Sequence, residues 1–137
     1  MNIEFHVNET VTTAEFISVL ERSGLAERRP IHDRDCIAGM LANCNLLVTA
    51  RVAGVLVGVA RSLTDFHYAC YLSDLAVDKS YQAKGIGIEL QRKTQAQLGP
   101  QCKLILIAAP KANTYYPKIG YTNNPNCWLV GRDQKIG

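Results

Sequence analysis

The feature that most limits how this chain can fold is the run from residue 68 to residue 110. One strand-like segment, YACYLSDLAV, leads through DKSYQAKGIG into a helical pattern, and the helix stops at Gly99-Pro100 before a second apolar run, KLILIAAP. Strand, helix and strand in that order make a parallel unit, whose crossover is right-handed. The connection into the helix is bare, with Gly85 and Gly87 on either side of Ile86. Amides in the first turn of a helix have no intrahelical acceptor, and the helix dipole adds positive potential there, so the junction is suited to an anion.

The rest of the chain supplies the sheet that this unit joins. IEFHV, residues 3–7, alternates as a first strand does. Thr12 with Glu15 three positions on forms a capping-box pattern ahead of Phe16, Val19 and Leu20, which share one helical face, and Gly24 stops that helix. Pro30, Asp33 and Asp35 suit the start of a second helix, ending near residues 43–45. LLVTAR, VLVGVARSL and YACYLSDLAV then predict three antiparallel strands in succession, with TDFH as the polar break before the third. After the glycine junction come a helix over about residues 86–98, KLILIAAP as a strand buried on both faces, a short helix at 112–118 and a last strand at 127–130. The expected fold class is mixed α/β, a single domain over residues 1–137. The short last strand leaves an edge that a homodimer would cover.

Composition narrows the function classes. The chain has 137 residues, 47% of them apolar, and a formal net charge of +3. Scattered basic residues and a mild charge give no argument for nucleic acid, while a small polyanion remains well suited. Five cysteines, odd in number and without a C-x-x-C pair, read as reduced thiols in a cytoplasmic protein. The first residues, MNIEFHVNE, carry acids and no apolar core, so neither a signal peptide nor a membrane anchor is expected. His6, His32 and His67 lack metal-ligand spacing, and no metal is expected.

Three readings of the glycine loop compete on the residues alone. G-I-G-I-E-L approaches the dinucleotide fingerprint, but Leu90 stands at its third glycine, and a meander precedes it. A phosphate-binding P-loop would need Gly-Lys-Ser/Thr next, which is absent. A tight glycine connection that binds nothing is the third reading.

The residues around the loop resemble a known family. Val77, then four residues, then Gln82-Ala83-Lys84-Gly85-Ile86-Gly87 resembles the acyl-CoA-binding motif of the GNAT superfamily of N-acetyltransferases, Gln/Arg-x-x-Gly-x-Gly/Ala. YYPKIGY, residues 115–121, is similar to the family's second signature, and the order of elements resembles that family from Ile3 to about Val130. The resemblance implies a central mixed, mostly antiparallel twisted sheet with a splayed strand pair and flanking helices. It implies an acyltransferase that moves an acetyl group from acetyl-CoA to a primary amine, on a small molecule or a peptide, by direct attack in a ternary complex. Leu75, Ala76 and Val77 would pair with the pantetheine arm, and the amides from Gln82 through Ala83, Lys84, Gly85, Ile86 and Gly87 to Ile88 would hold the pyrophosphate. Lys79, Lys84 and Arg92 are candidates for the outer phosphates, or else an ordinary basic surface.

Tyr116 matches the motif tyrosine whose hydroxyl protonates the departing thiolate. Asp74, three residues before Val77, is a candidate to take the amine proton or to hold an ammonium group, with an exposed strand acid as the plain alternative. Two positions depart from the family pattern: Ala109 stands where many members have asparagine, and Pro117 disfavours helix at Tyr116. These departures leave a second reading, a non-catalytic acyl-CoA-binding sensor or interaction module. The acceptor segment, about residues 16–35, mixes acids and arginines and selects no particular amine. Cys70 and Cys102 read as buried, inert thiols.

Overall fold

A computed structural model describes residues 2–137. The chain divides into two compact units, one ending at Leu106 and the other covering residues 107–137. The first unit carries the sheet. Its strands, β1 (Ile3–Val7), β2 (Leu46–Val52), β3 (Val55–Thr64), β4 (Ala69–Val77) and β5 (Lys103–Ile105), lie in the order β1-β2-β3-β4-β5. The first four pair antiparallel, and β5 joins β4 in parallel. The meander and the parallel unit are therefore as the sequence predicts.

Helix α1 (Thr13–Ser23) starts with the expected capping box: Thr12 Oγ1 accepts from Glu15 N at 3.1 Å, and Thr12 N donates to the Glu15 carboxylate at 2.9 Å. Gly24 ends it in the left-handed region at φ 88°. A 3-10 turn at Leu25–Arg28, which the sequence did not signal, leads to α2 (Arg34–Asn43), where Asp33 rather than Pro30 marks the start by accepting from Cys36 N. Phe16, Val19, Leu20 and Ile37 from these helices bury against Leu47, Leu56, Val59 and Ala76 of the sheet.

Helix α3 (Ile86–Ala96) packs in a second cluster, where Ile86 and Leu90 meet Leu46, Val48, Val57, Ala60, Cys70 and Leu72. The contact depends on Gly58. A Cβ there would lie 3.1 Å from Leu90 Cδ1 and 3.2 Å from Ile86 Cγ2, so the missing side chain lets the start of α3 settle onto β3.

Two expected strands need correction. KLILIAAP is a strand only over Lys103–Ile105, and its exposure alternates, with Ile105 46% exposed, so it is not buried on both faces. Residues 127–130 form no strand at all. The second unit contains a 3-10 turn at Pro110–Ala112 and α4 (Tyr115–Lys118). Apolar, β-favouring composition suggested a strand there, but such residues form one only when paired with a neighbouring strand.

Candidate functional site

The parallel pairing of β4 and β5 is short. Residues Ala69, Cys70 and Tyr71 match Lys103, Leu104 and Ile105, and from Leu72 onward β4 has β3 on one side and no strand on the other. Leu75, Ala76 and Val77 lie in this one-sided stretch. Backbone groups on an unpaired strand side are open to an extended ligand that hydrogen-bonds as a strand would.

A bulge sits within the same stretch. The register with β3 passes from Ser62 opposite Leu72 to Arg61 opposite Asp74, leaving Ser73 as the extra residue. Bulges bend a strand and re-aim its side chains. Here the bulge coincides with a buried charge cluster. Asp74 is fully buried, one carboxylate oxygen bonded to Arg29 Nε and the other to Arg61 Nε. Arg29 also donates to Ser73 O at 2.7 Å, and Arg61 donates to Ser73 Oγ and to Met40 O, each at 3.0 Å. The two guanidiniums thus tie the α1–α2 connection and the end of α2 to the bulge. The sequence offered Asp74 as a proton acceptor or as an exposed strand acid; it is not exposed, and both of its oxygens are engaged.

Beyond Val77 a second ion pair fixes the approach to the loop. Asp78 accepts from Arg22 of α1 and caps Ser80 N at 2.8 Å, while Arg22 reaches Leu56 O at 2.7 Å. Burial pushes the Asp78 carboxyl up, but the Ser80 amide and Arg22 outweigh it and leave it below its ordinary range. Gln82 Nε2 donates to Val77 O at 3.0 Å, so the first residue of the loop motif is stapled to the strand before it.

The loop itself is exposed from Gln82 to Gly85. Ala83 and Gly85 take positive φ, 62° and 80°, and Gly85 is the N-cap of α3 with no side-chain cap. The first intrahelical bond runs from Glu89 N to Gly85 O at 3.1 Å. The amides of Ile86, Gly87 and Ile88 therefore open the helix without intrahelical acceptors. A Cβ on Gly85 would meet nothing within 4 Å and one on Gly87 only Val77 Cγ2 at 3.7 Å, so no neighbouring side chain crowds either glycine. Successive amides around left-handed residues at a helix start form an anion cradle. Of the outer basic candidates, Arg92 lies near Glu89 at 3.8 Å, and the Lys79 Cε lies 3.1 Å from where a Cβ on Gly24 would stand.

In the second unit, Tyr116 stands at the centre of three aromatic rings. Its centroid is 5.1 Å from that of Tyr115 and 5.3 Å from that of Tyr121, both edge-on. Burial, and secondarily Tyr115, raises the Tyr116 hydroxyl above its ordinary pKa, so the group holds its proton throughout the neutral range. Pro117 is accommodated inside α4, which ends one residue later.

Sequence reasoning missed Arg22, Arg29, Arg61 and Asp78. Arg61 and Asp74 left a trace, since each is a lone charge within an apolar strand segment, where an ionised group needs a partner. Arg29 left none, because it lies among other arginines in a connection. All five cysteines are free; Cys70 is buried and Cys102 half-buried, and burial raises the Cys70 thiol. Among the described residues no three His, Cys, Asp or Glu side chains converge as metal ligands, and no helix is long and apolar enough to cross a membrane.

An uncapped helix start beside a one-sided strand is the geometry that the resemblance in the sequence implies, and comparison with known proteins identifies the family. The profile of the acetyltransferase (GNAT) domain matches residues 16–126. This chain belongs to the GNAT acetyltransferase family, whose chemistry is acyl transfer from an acyl-CoA. No curated protein matches the sequence. Solved structures share the fold at low identity. A protein of methicillin-resistant Staphylococcus aureus, described as a probable acetyltransferase, has a TM-score of 0.74 and 20% identity over 95% of this chain and 98% of its own. An aminoglycoside acetyltransferase from an uncultured soil metagenomic sample, in complex with sisomicin, has a TM-score of 0.65 and 19% identity over 97% of each chain. A Clostridium acetobutylicum structure described as a predicted acetyltransferase with acetyl-CoA has a TM-score of 0.69 and 14% identity over 95% of this chain and 96% of its own.

Proposed function

We propose that this protein is an N-acetyltransferase that moves an acetyl group from acetyl-CoA to a primary amine by direct attack, with residues 1–137 acting as one catalytic domain. The observation that carries the reading is the run of uncapped amides at Ile86, Gly87 and Ile88 beside the one-sided stretch of β4. Acetyl-CoA supplies the activated thioester. The amides from Gln82 to Ile88 bind its pyrophosphate, and the backbone of Leu75, Ala76 and Val77 aligns the extended arm along β4. A donor amide near Val77 stabilises negative charge on the thioester oxygen during attack. As the carbon–sulfur bond breaks, Tyr116 gives its proton to the departing thiolate, its raised pKa having kept that proton in place at neutral pH, and the proton lost by the attacking nitrogen passes to water, from which Tyr116 is reprotonated. Asp74 acts through its two arginines, holding the bulge and so the direction of β4, rather than by taking a proton itself. The acceptor is a small-molecule or peptide amine, and the five free thiols suit a cytoplasmic setting.

The test is calorimetric titration with acetyl-CoA, with NAD and ATP as controls, followed by thiol release against a panel of amines. Saturable binding of acetyl-CoA alone is expected, weakened about a hundredfold by Gly85→Glu, which removes charge-assisted bonds and sets a carboxylate against the phosphates. Tyr116→Phe is expected to lower turnover on the order of a hundredfold while leaving acetyl-CoA affinity unchanged. Folded protein that binds neither acetyl-CoA nor a longer acyl-CoA would end this reading. Binding without transfer to any amine would favour the sensor instead.

A further inference from the structure

The loop that opens α3 does not hold itself in shape. Residues 82–85 are exposed, and Ala83 lies in the left-handed region at φ 62°, a conformation that a residue with a Cβ keeps only when its surroundings impose it. A loop that must be ordered as its ligand arrives loses affinity to that ordering, and a loop already held does not. What holds this one lies just upstream, in the 3-10 turn Lys79–Tyr81.

Asp78 builds that turn. Its carboxylate accepts from Ser80 N and its carbonyl from Tyr81 N, each at 2.8 Å, while its own amide donates to Val57 O of β3 at 2.8 Å. The same carboxylate stands four residues before Gln82, so an unpaired charge there would repel the anion that the loop attracts. Arg22, in the last turn of α1, removes that repulsion. Among the described residues it is the only ion-pair partner of Asp78, whose side chain is 11% exposed. All three guanidinium nitrogens are engaged: Nη1 donates to Asp78, Nε to Ser18 Oγ at 3.1 Å and Nη2 to Leu56 O at 2.7 Å. The pair is therefore fixed to α1 and to β3 at once. The end of α1 also lies against the turn a second time, with Lys79 Nζ 3.3 Å from where a Cβ on Gly24 would stand.

We propose that Arg22 is a positioning residue for acyl-CoA: acting through Asp78, it neutralises and orders the stem of the loop and so sets how tightly the pyrophosphate is held. The inference rests on the reading that the amides of residues 82–88 bind that pyrophosphate. Because Arg22 works through the stem, its effect is confined to ligands that carry the pyrophosphate. Lysine would keep the charge but lacks the planar fork that also reaches Ser18 and Leu56.

The test compares two ligands on full-length protein, at a temperature where melting curves show every variant folded. Acetyl-CoA is titrated by calorimetry, and S-acetylpantetheine, which has the thioester arm and no pyrophosphate, by nuclear magnetic resonance. Arg22→Met is expected to weaken acetyl-CoA binding about tenfold, the worth of one charge-assisted bond, and to leave acetylpantetheine binding unchanged. Arg22→Lys should recover most of the loss. In a double-mutant cycle Arg22→Met should add nothing to Asp78→Ala, since both break one path. Wild type that does not bind acetyl-CoA, or a Gly85→Glu variant that binds it undiminished, would overturn the pyrophosphate reading and this inference with it. Where both of those controls behave as expected, the inference alone is overturned by an Arg22→Met variant with wild-type affinity for acetyl-CoA or with an equal loss toward acetylpantetheine. It is overturned equally by an Arg22→Lys variant that recovers nothing, or by additive losses in the cycle.

Discussion

The β4–α3 junction and the segment at residues 127–130 read with similar clarity in the sequence, yet only the junction takes its expected form. At the junction, glycines, a motif glutamine and a helix start specify a local backbone path, and Asp78, Arg22 and Gln82 then pin it from outside. At residues 127–130 the residue types specify only a preference for being a strand, and a strand needs a neighbour. The difference teaches that a signal written in backbone conformation is realised locally, whereas one written in hydrophobicity waits for a surface to be buried against.

Amide hydrogen exchange should show the contrast most strongly. Amides of β3 lie between two strands and under both cores, so they should open only with global unfolding, on the order of 5–15 kcal/mol. Residues 122–137 have few backbone hydrogen bonds of their own and should exchange at rates close to those of free peptide. Comparable protection in the two regions would erase the distinction.

The next largest effect tests what holds the junction. Asp74→Ala leaves the Arg29 and Arg61 guanidiniums facing each other without their counterion, which should cost about 3–5 kcal/mol. Denaturant unfolding measures this, and a loss near that of an exposed surface pair, below about 1 kcal/mol, would mean that the cluster does not anchor β4.

The smallest effect concerns the hairpin at the other end of β4. Asp65 accepts from the amides of His67, Tyr68 and Ala69 at 2.8–3.0 Å, and these bonds, Tyr68's foremost, lower its pKa to about 2. A depressed carboxylate binds fewer protons in the folded state. Its stabilisation is therefore present above the ordinary aspartate range near 3.9 and is lost as pH falls through about 2. Asp65→Asn should flatten the slope of stability against pH between those values, and an unchanged slope would remove Asp65 from the acid response.

The glycine loop was legible because its form is carried by the backbone, and the residues that shape it, Gln82, Gly85 and Gly87, lie close together in sequence. The capping box and the glycine stop of α1 were legible for the same reason. The surroundings of Asp74 were not, because Arg29 and Arg61 lie 45 and 13 positions away and reach it only once α1, α2 and the sheet are assembled.

The sequence by itself therefore determined the order of strands and long helices as far as β5, the antiparallel meander and the bare helix start at Gly85, because local patterning and turn signals mark each of them. Only the tertiary structure decided where β5 ends, that Ser73 bulges, and that Asp74 is buried between two arginines. Each of those depends on which distant segment the fold brings alongside, and on whether a charge or an apolar side chain finds its partner there.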